Sequence, residues 1–316
     1  MNILQTAFSL TSPGGASGRL SVFIFHRVLS ESDPLFPDEP DARQFDLMLG
    51  WIKSWFNVLP LDVAVNRLKR GDLPPRSAAI TFDDGYADNR TIALPILQQH
   101  GLPATFFIAT GFLDGGRMWN DTVIESVRQS VTQELDLTSL ELGRHPVADI
   151  GEKRDAIKSI IGQIKYLPVS ERADLTEKIS ELAGATPPDN LMMTSAQVAE
   201  MHDAGMQIGA HTVSHPILTS ISLQQAREEI ANSKCHLEQL LGERISLFAY
   251  PNGKPGIDYQ PEHAALAKEL GFEAAVSTAW GTATISSDVH QIPRFTPWDK
   301  SRLRFGIRLL SNLRIR

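Results

Sequence analysis

Short runs of apolar and β-branched residues recur along the chain, and most are apolar at every position instead of every second one. They fall at Ser21–Phe25, Ala78–Phe82, Ala104–Ala109, Met206–Gly209, Ile245–Tyr250 and Glu273–Thr278, with Val289–Phe295 as a further candidate. A strand of that kind has both faces buried, which is the condition of a parallel sheet covered by helices. Helical patterns lie between the runs, at Arg43–Phe56, Leu61–Arg70, Ala196–Ala204, Leu223–Leu241 and Pro261–Leu270. The alternation predicts an α/β fold with a parallel sheet or barrel.

Local signals refine this. Ser222 followed by Gln225 makes a capping box, and Gly242 ends the same helix. Leu223, Ala226, Ile230, Leu237, Leu240 and Leu241 share one of its faces, and the single cysteine, Cys235, is expected to be packed and inert within it. Pro95 in an otherwise helical stretch predicts a late start or a kink. From about residue 115 to 190 the strand–helix alternation is lost. That segment reads as a helix, a short hairpin around Leu135–Val147 and charged helices near Glu152–Tyr166 and Ser170–Ala183, with Pro187-Pro188 marking the return. Few of its residues could form a core of their own. It is therefore read as an insertion in one domain spanning residues 1–316, a length that single α/β barrels reach.

Charge and composition narrow the partners. A net charge of −7 argues against nucleic acid, which favours a basic surface. One cysteine excludes an internal disulfide framework and a cysteine-based zinc site. No run approaches the ~20 apolar residues of a membrane span. The first twenty residues lack the positive start and apolar stretch of a secretory signal, so a cytoplasmic location is expected. Lys300–Arg316 carries six basic residues interleaved with Leu303, Phe305, Ile307, Leu309, Leu310, Leu313 and Ile315. This stretch reads either as a last helix closing the fold or as an interfacial helix in peripheral contact with the inner membrane face.

Three strand candidates run directly into polar residues. Ala79-Ile80-Thr81-Phe82 leads into Asp83-Asp84-Gly85. Two acids at the end of a buried strand repel each other and are poorly hydrated, so a cation or a proton must compensate them; the plain alternative is an Asp-Gly turn. Gly209-Ala210 leads into His211-Thr212-Val213-Ser214-His215-Pro216. Histidines four apart meet on one side of a helical turn and can share a metal ion. Two histidines and one aspartate leave a coordination position open for water, the pattern of a catalytic site. Phe248-Ala249 leads into Tyr250-Pro251-Asn252-Gly253, a tight loop whose backbone N–H groups could face a ligand.

In this order the three stretches, with Ala104-Thr105-Phe106-Phe107-Ile108 between the first two, resemble the first three motifs of the polysaccharide deacetylases, the NodB-homology group or carbohydrate esterase family four. The resemblance spans about Leu20 to Pro297 apart from the insertion. It implies a distorted (β/α)7 barrel with a helical insertion and a divalent metal held by Asp84, His211 and His215, zinc being the default for such a donor set. It further implies Asp83 as the base that activates water, Tyr250, Pro251, Asn252 and Gly253 at the substrate with the Asn252 N–H facing the oxyanion, and an N-acetylated carbohydrate as substrate.

Two positions depart from that pattern. Ala249 stands where the third motif opens with an arginine, and Arg294, at the end of the last strand candidate, is the replacement expected to hold Asp83. The family's last motif, with its acid histidine, is not found. His26 follows the first strand candidate in a segment that resembles the start of the poly-N-acetylglucosamine deacetylase branch, and is the expected acid, with His290 second. Trp119, Asn120 and Asp121 begin the insertion near the expected barrel mouth; the Trp could stack on a sugar ring and the polar pair bond its hydroxyls, or they form a capped helix start with a packed Trp. The same residues would also serve another metal-dependent amidohydrolase, or a catalytically silent sugar-binding barrel.

Overall fold

A computed structural model describes residues 3–315. Leu20–Phe25 (β1), Asn57–Val58 (β2), Ser77–Phe82 (β3) and Thr105–Ile108 (β4) precede an antiparallel hairpin of Glu134–Leu137 (β5) and Gly143–Pro146 (β6). Gln207–Ala210 (β7), Leu247–Ala249 (β8) and Ala274–Val276 (β9) follow. All but the hairpin form one parallel sheet in the order β1-β3-β4-β7-β8-β9, with the short β2 also on β3.

β1, β3, β4, β8 and β9 are buried at every position, the physical counterpart of their uninterrupted apolar sequences. Alternate residues go to opposite faces. Phe23, Phe25, Ile80, Phe82, Phe106, Ile108 and Phe248 pack under the outer helices, while Val22, Ala79, Phe107, Leu247 and Val276 share the other face with the helix Leu61–Arg70. Phe25, Phe82 and Phe106 stack across β1, β3 and β4 with ring centroids 5.3 and 4.7 Å apart. Phe25 lies opposite Phe82 in the register, so the residues that follow them, His26 and Asp83, leave the sheet at the same level.

Segment 289–295 is not a continuous strand. Val289 and Ile292 bond to β9 through Ala275 and Ser277, and Phe295 bonds to β1 through Val22 and Ile24. It thus joins the two ends of the strand order and closes the curled sheet. Pro293, which has no N–H to donate, sits where the pairing passes from one edge to the other.

Other expectations are corrected. In the helix Leu223–Leu241 the buried positions are Ala226, Ile230, Ser233 and Leu237, spaced for one stripe; Cys235 lies off it and is exposed, as is Leu223. The insertion does have an apolar core: Val123 and Val127 of the helix Trp119–Gln129, Leu135 and Leu137 of β5, and Ile157, Ile160, Ile164 and Ile179 of the helices Ile150–Ile164 and Val169–Ala183, joined by Leu35. A helix at Ile3–Thr11, not signalled in the sequence, buries Phe8 and packs on the helix Arg302–Asn312. The α-helix holding Pro95 starts at Leu94 and continues directly from a π-helical turn, Asn89–Ala93, whose wider winding precedes the proline.

Gly209 marks the tightest approach within the sheet: a Cβ there would lie 2.5 Å from the Phe107 ring and 3.0 Å from the Leu247 carbonyl. Gly209→Ala is expected to destabilise the protein by about 1–3 kcal/mol in urea denaturation, because neither neighbour is free to move.

Candidate active site

In a parallel sheet the C-terminal ends of all strands lie on one rim, and here β1, β3, β7 and β8 deliver His26, Asp83-Asp84, His211 and Tyr250 to it. Along an extended strand two adjacent aspartates would point to opposite faces. Asp84 instead adopts a left-handed backbone, φ 76°, followed by Gly85 at φ 92°. Both carboxylates consequently reach His211: its Nε2 lies 3.5 Å from Asp84 Oδ1 and 4.0 Å from Asp83 Oδ2. His215 Nε2 lies 3.4 Å from the same Asp84 oxygen.

The segment from His211 to His215 is not the helical turn expected from the spacing. Thr212 and His215 take φ of 65° and 52°, conformations that cost roughly 1–3 kcal/mol each for residues with a Cβ and persist only where neighbours enforce them. Those neighbours are identifiable. Glu229 accepts from the Val213 and Ser214 N–H groups, both at 2.8 Å, and from the Ser214 hydroxyl at 2.6 Å. Thr110 and Gly111 donate to the Thr212 and Val213 carbonyls at 3.1 and 2.8 Å. His211 Nδ1 sits 2.8 Å from the Ala249 carbonyl, an acceptor, so that nitrogen carries the proton and the Nε2 lone pair faces Asp84.

Arg294 comes from the closing segment and is fully buried. It donates to both oxygens of Asp83 at 2.7 Å, to Thr81 Oγ1 at 3.2 Å and to the Ser277 carbonyl at 2.9 Å. Ala249 takes part only through its carbonyl.

Burial alone would push the Asp83 carboxyl up, but the Arg294 guanidinium and then His211 hold it below the ordinary carboxylate range. Asp84 is likewise opposed by burial, yet the adjoining imidazoles, His211 first and then His215, bring it well below that range. Burial lowers His211 but the two aspartates raise it overall, whereas His215 is pushed down to about 3 by burial, with the His211 charge adding to it against Asp84. The cluster holds two ionised carboxylates against one guanidinium, and it favours a further positive charge among Asp84, His211 and His215. Their ligating atoms all lie within 4.8 Å of one another, and a divalent cation fits that donor set.

A cavity of about 260 Å³ opens beside Asp84, walled by His26, Glu39, Tyr86, Asn120 and Asp121 among others. His26 is half-buried, and its loop is tied down by Asn89, which donates to the His26 carbonyl at 2.9 Å, and by the Arg27–Asp88 ion pair at 2.7 Å. Tyr86 donates to Asp121 Oδ1 at 3.1 Å, while Asp121 Oδ2 is buried without a partner among the described residues. Burial, with the charges of Asp84 and Glu125, pushes the Asp121 carboxyl up to about 7 against the pull of Arg27 and the Tyr86 hydrogen bond.

Several expected site residues lie elsewhere. Tyr250 is buried, stacked on Tyr259 at 3.9 Å, and donates its hydroxyl to the His290 carbonyl at 2.8 Å, so its ring is scaffold and not a sugar contact. His290 is bonded to the Phe272 carbonyl at 3.0 Å and joins none of the site residues. Trp119 packs against the insertion core with the Arg172 guanidinium 4.5 Å above its ring, leaving the cavity wall to Asn120 and Asp121. Pro251, Asn252 (φ 58°) and Gly253 (φ 72°) form the turn after β8, anchored by the Thr278 hydroxyl on the Asn252 carbonyl at 2.8 Å. Glu39 and Tyr86 were not singled out in the sequence; only the place of Tyr86 immediately after Asp83-Asp84-Gly85 signals it.

A curled parallel sheet with this Asp-His-His rim is the architecture of the NodB-type deacetylases. The chain belongs to the polysaccharide deacetylase family, whose pattern it matches over residues 70–275. It is 20% identical over 278 residues to YxkH of Bacillus subtilis (strain 168), covering 87% of this chain and 70% of that one. Over 110 residues it is 29% identical to the poly-beta-1,6-N-acetyl-D-glucosamine N-deacetylase of Staphylococcus aureus (strain MSSA476), 34% of this chain and 38% of that one. The solved structure of the Streptococcus pyogenes deacetylase PplD in complex with acetate superposes with a TM-score of 0.63 at 18% identity, covering 94% of this chain and 99% of that one, a likeness of fold.

Arg294→Met would leave Asp83 buried without its counter-charge. A loss of about 3–5 kcal/mol is expected at pH 7. The lowered Asp83 pKa contributes stability above the unfolded value and loses it as pH falls through the folded value. Urea titrations of the variant and wild type should therefore differ most near neutrality and converge toward acid. Glu229→Ala is expected to weaken zinc affinity about 10–100-fold in a competition titration, since it frees the turn that aims both histidines.

Proposed function

We propose that the chain is a divalent-metal-dependent hydrolase removing the acetyl group from an N-acetylated sugar in a polysaccharide, oligosaccharide or glycolipid precursor. The observation that carries this reading is the three-residue donor set beside a buried aspartate held by Arg294. Asp84, His211 and His215 would hold the ion, with zinc as the default. When bound, such an ion supplies Lewis acidity to a carbonyl and lowers the pKa of water.

The remaining roles follow from what each side chain can donate or accept. Asp83, ionised and oriented by Arg294, takes the proton of the attacking water as its oxygen adds to the acetamide carbonyl. The backbone N–H of Asn252, in the turn after β8, supports the negative charge that develops on the carbonyl oxygen. His26, on the same rim, gives a proton to the departing nitrogen, because an amide anion is too poor a leaving group to depart unprotonated. The sugar occupies the cavity beside Asp84, where Glu39, Asn120 and Asp121 accept or donate to its hydroxyls. The similarity to the Staphylococcus aureus poly-beta-1,6-N-acetyl-D-glucosamine N-deacetylase favours an N-acetylglucosamine unit over a cyclic imide or peptide-like amide.

The test measures acetate released from N-acetylglucosamine oligomers and from a lipid-linked N-acetyl sugar, with bound metal counted in every sample. Wild type should release acetate, and Asp83→Asn should lose at least about 100-fold in rate while keeping its metal. His26→Gln should also lose at least about 100-fold in rate while keeping its metal. A full metal site with no acetate from any acetylated sugar would reject the deacetylase reading.

A further inference from the structure

The last helix, Arg302–Asn312, buries Phe305, Gly306, Leu309 and Asn312 and so closes the fold on one side. Its other side is left bare and is apolar where it need not be. Leu303 and Ile307 are 64% and 56% exposed, and beside them stand Trp280 and Trp298, 48% and 43% exposed with rings 5.7 Å apart. Arg308 braces this pair: its guanidinium lies 4.1 Å from the Trp298 centroid and is tied to Asp299 at 2.7 Å. A shallow groove of about 920 Å³ runs here, lined by Trp298, Lys300, Arg304, Ile307, Arg308 and Asp38 among others.

The charge of this surface is opposite to that of the chain. The protein carries −7 overall, yet residues 298–315 hold five cations and the single acid Asp299, already taken by Arg308. Lys300, Arg304 and Arg314 are exposed, and no acid among the described residues pairs with them. Cations alone would suit any polyanion. Cations interleaved with half-exposed tryptophans and largely exposed aliphatic side chains suit a surface that is anionic outside and hydrocarbon beneath, since tryptophan settles at the headgroup level and Lys and Arg reach back to phosphate. No helix among the described residues is long and apolar enough to cross a membrane, so the contact would be peripheral.

The same surface adjoins the catalytic rim. Trp298 lies four residues beyond Arg294, the partner of Asp83. Asp38 lines the groove, and its neighbour Glu39 lines the cavity that holds Asp84. We propose that Trp280, Trp298, Leu303 and Ile307 with Lys300, Arg304 and Arg314 form a docking face for an anionic lipid bilayer, and that docking sets the mouth of the candidate active site against the membrane. The binding itself rests only on this surface. Its consequence, that the acetylated sugar is met at a lipid surface, rests on the deacetylase reading.

Co-sedimentation of the full chain with vesicles separates the two. Vesicles of phosphatidylcholine containing phosphatidylglycerol should bind the protein, and phosphatidylcholine alone should not. Lys300→Glu with Arg304→Glu should cut partitioning at least about tenfold, and Leu303→Ser with Ile307→Ser should cut it by a comparable factor. Acetate release from soluble oligomers should be unchanged in both double variants, which also reports that they fold. The proposal is overturned by no binding to the anionic vesicles, by equal binding to uncharged ones, or by an aliphatic double variant that binds like wild type, the result expected of a simple polyanion site. Vesicle binding is scored whether or not any acetate is released, so its failure and that of the deacetylase reading are told apart.

Discussion

The pair between Arg294 and Asp83 is the contact on which the rest of this architecture turns. Two parallel hydrogen bonds of 2.7 Å join a guanidinium and a carboxylate that are both removed from water. Neither charge could be buried alone, and a pair of this kind is tolerable only when its other donors are also satisfied. Thr81 and the Ser277 carbonyl do this from β3 and from the residue after β9. One side chain thus connects β9, at one end of the strand order, to β3 near the other through the interior, while the backbone of the same segment joins β9 to β1 at the edges. Closure of the sheet and ionisation of Asp83 are one structural fact seen from two sides.

That arrangement explains why the rim tolerates strain. Asp84, Thr212, His215 and Asn252 all have positive φ without being glycine, and all lie in turns that immediately follow strands of the sheet. A stacked row of phenylalanines fixes where β1, β3 and β4 end, and Glu229 and the Thr110–Gly111 backbone clamp the turn after β7. Rigid strand ends and external clamps hold the turns in conformations they would not adopt alone, and the side chains they carry converge on a few ångströms.

Much of this was legible in the sequence because the informative features were local. Uninterrupted apolar runs announce doubly buried strands, and the residues just after them must lie on the rim. Arg294 could be named because Ala249 stands where the resembling family has an arginine and because it lies near the end of the last strand candidate, on the rim with Asp83. What was not legible depended on direction. The spacing of His211 and His215 suits a helical turn, and only Glu229, far along the chain, shows that a different turn is enforced. Tyr250 is in the right loop, but its ring follows Tyr259 into the core, as no local pattern discloses. Cys235 lies two residues from a buried serine, and a helix rotates by about 200° over that step, enough to carry it to solvent. The helix Ile3–Thr11 is defined by its fit against the helix Arg302–Asn312, a contact between opposite ends of the chain.

The insertion shows how such a fold acquires particularity. The sheet and its rim supply Asp83, Asp84, His211, His215 and Arg294, which in the proposed reaction would all act at the reacting bond and would not distinguish one acetylated sugar from another. The cavity beside Asp84 is completed by Asn120 and Asp121 from the insertion and by Glu39 from the long loop after β1. Asp121 keeps one carboxylate oxygen buried and unpartnered there, an energetic debit that hydroxyl groups of a bound sugar would relieve. The insertion brings an apolar core, completed by Leu35, and Tyr86 of the turn after β3 fixes Asp121, so these residues are held from both sides. Recognition can then change by altering the insertion and the loop after β1 while the Arg294–Asp83 contact, on which the sheet depends, stays as it is.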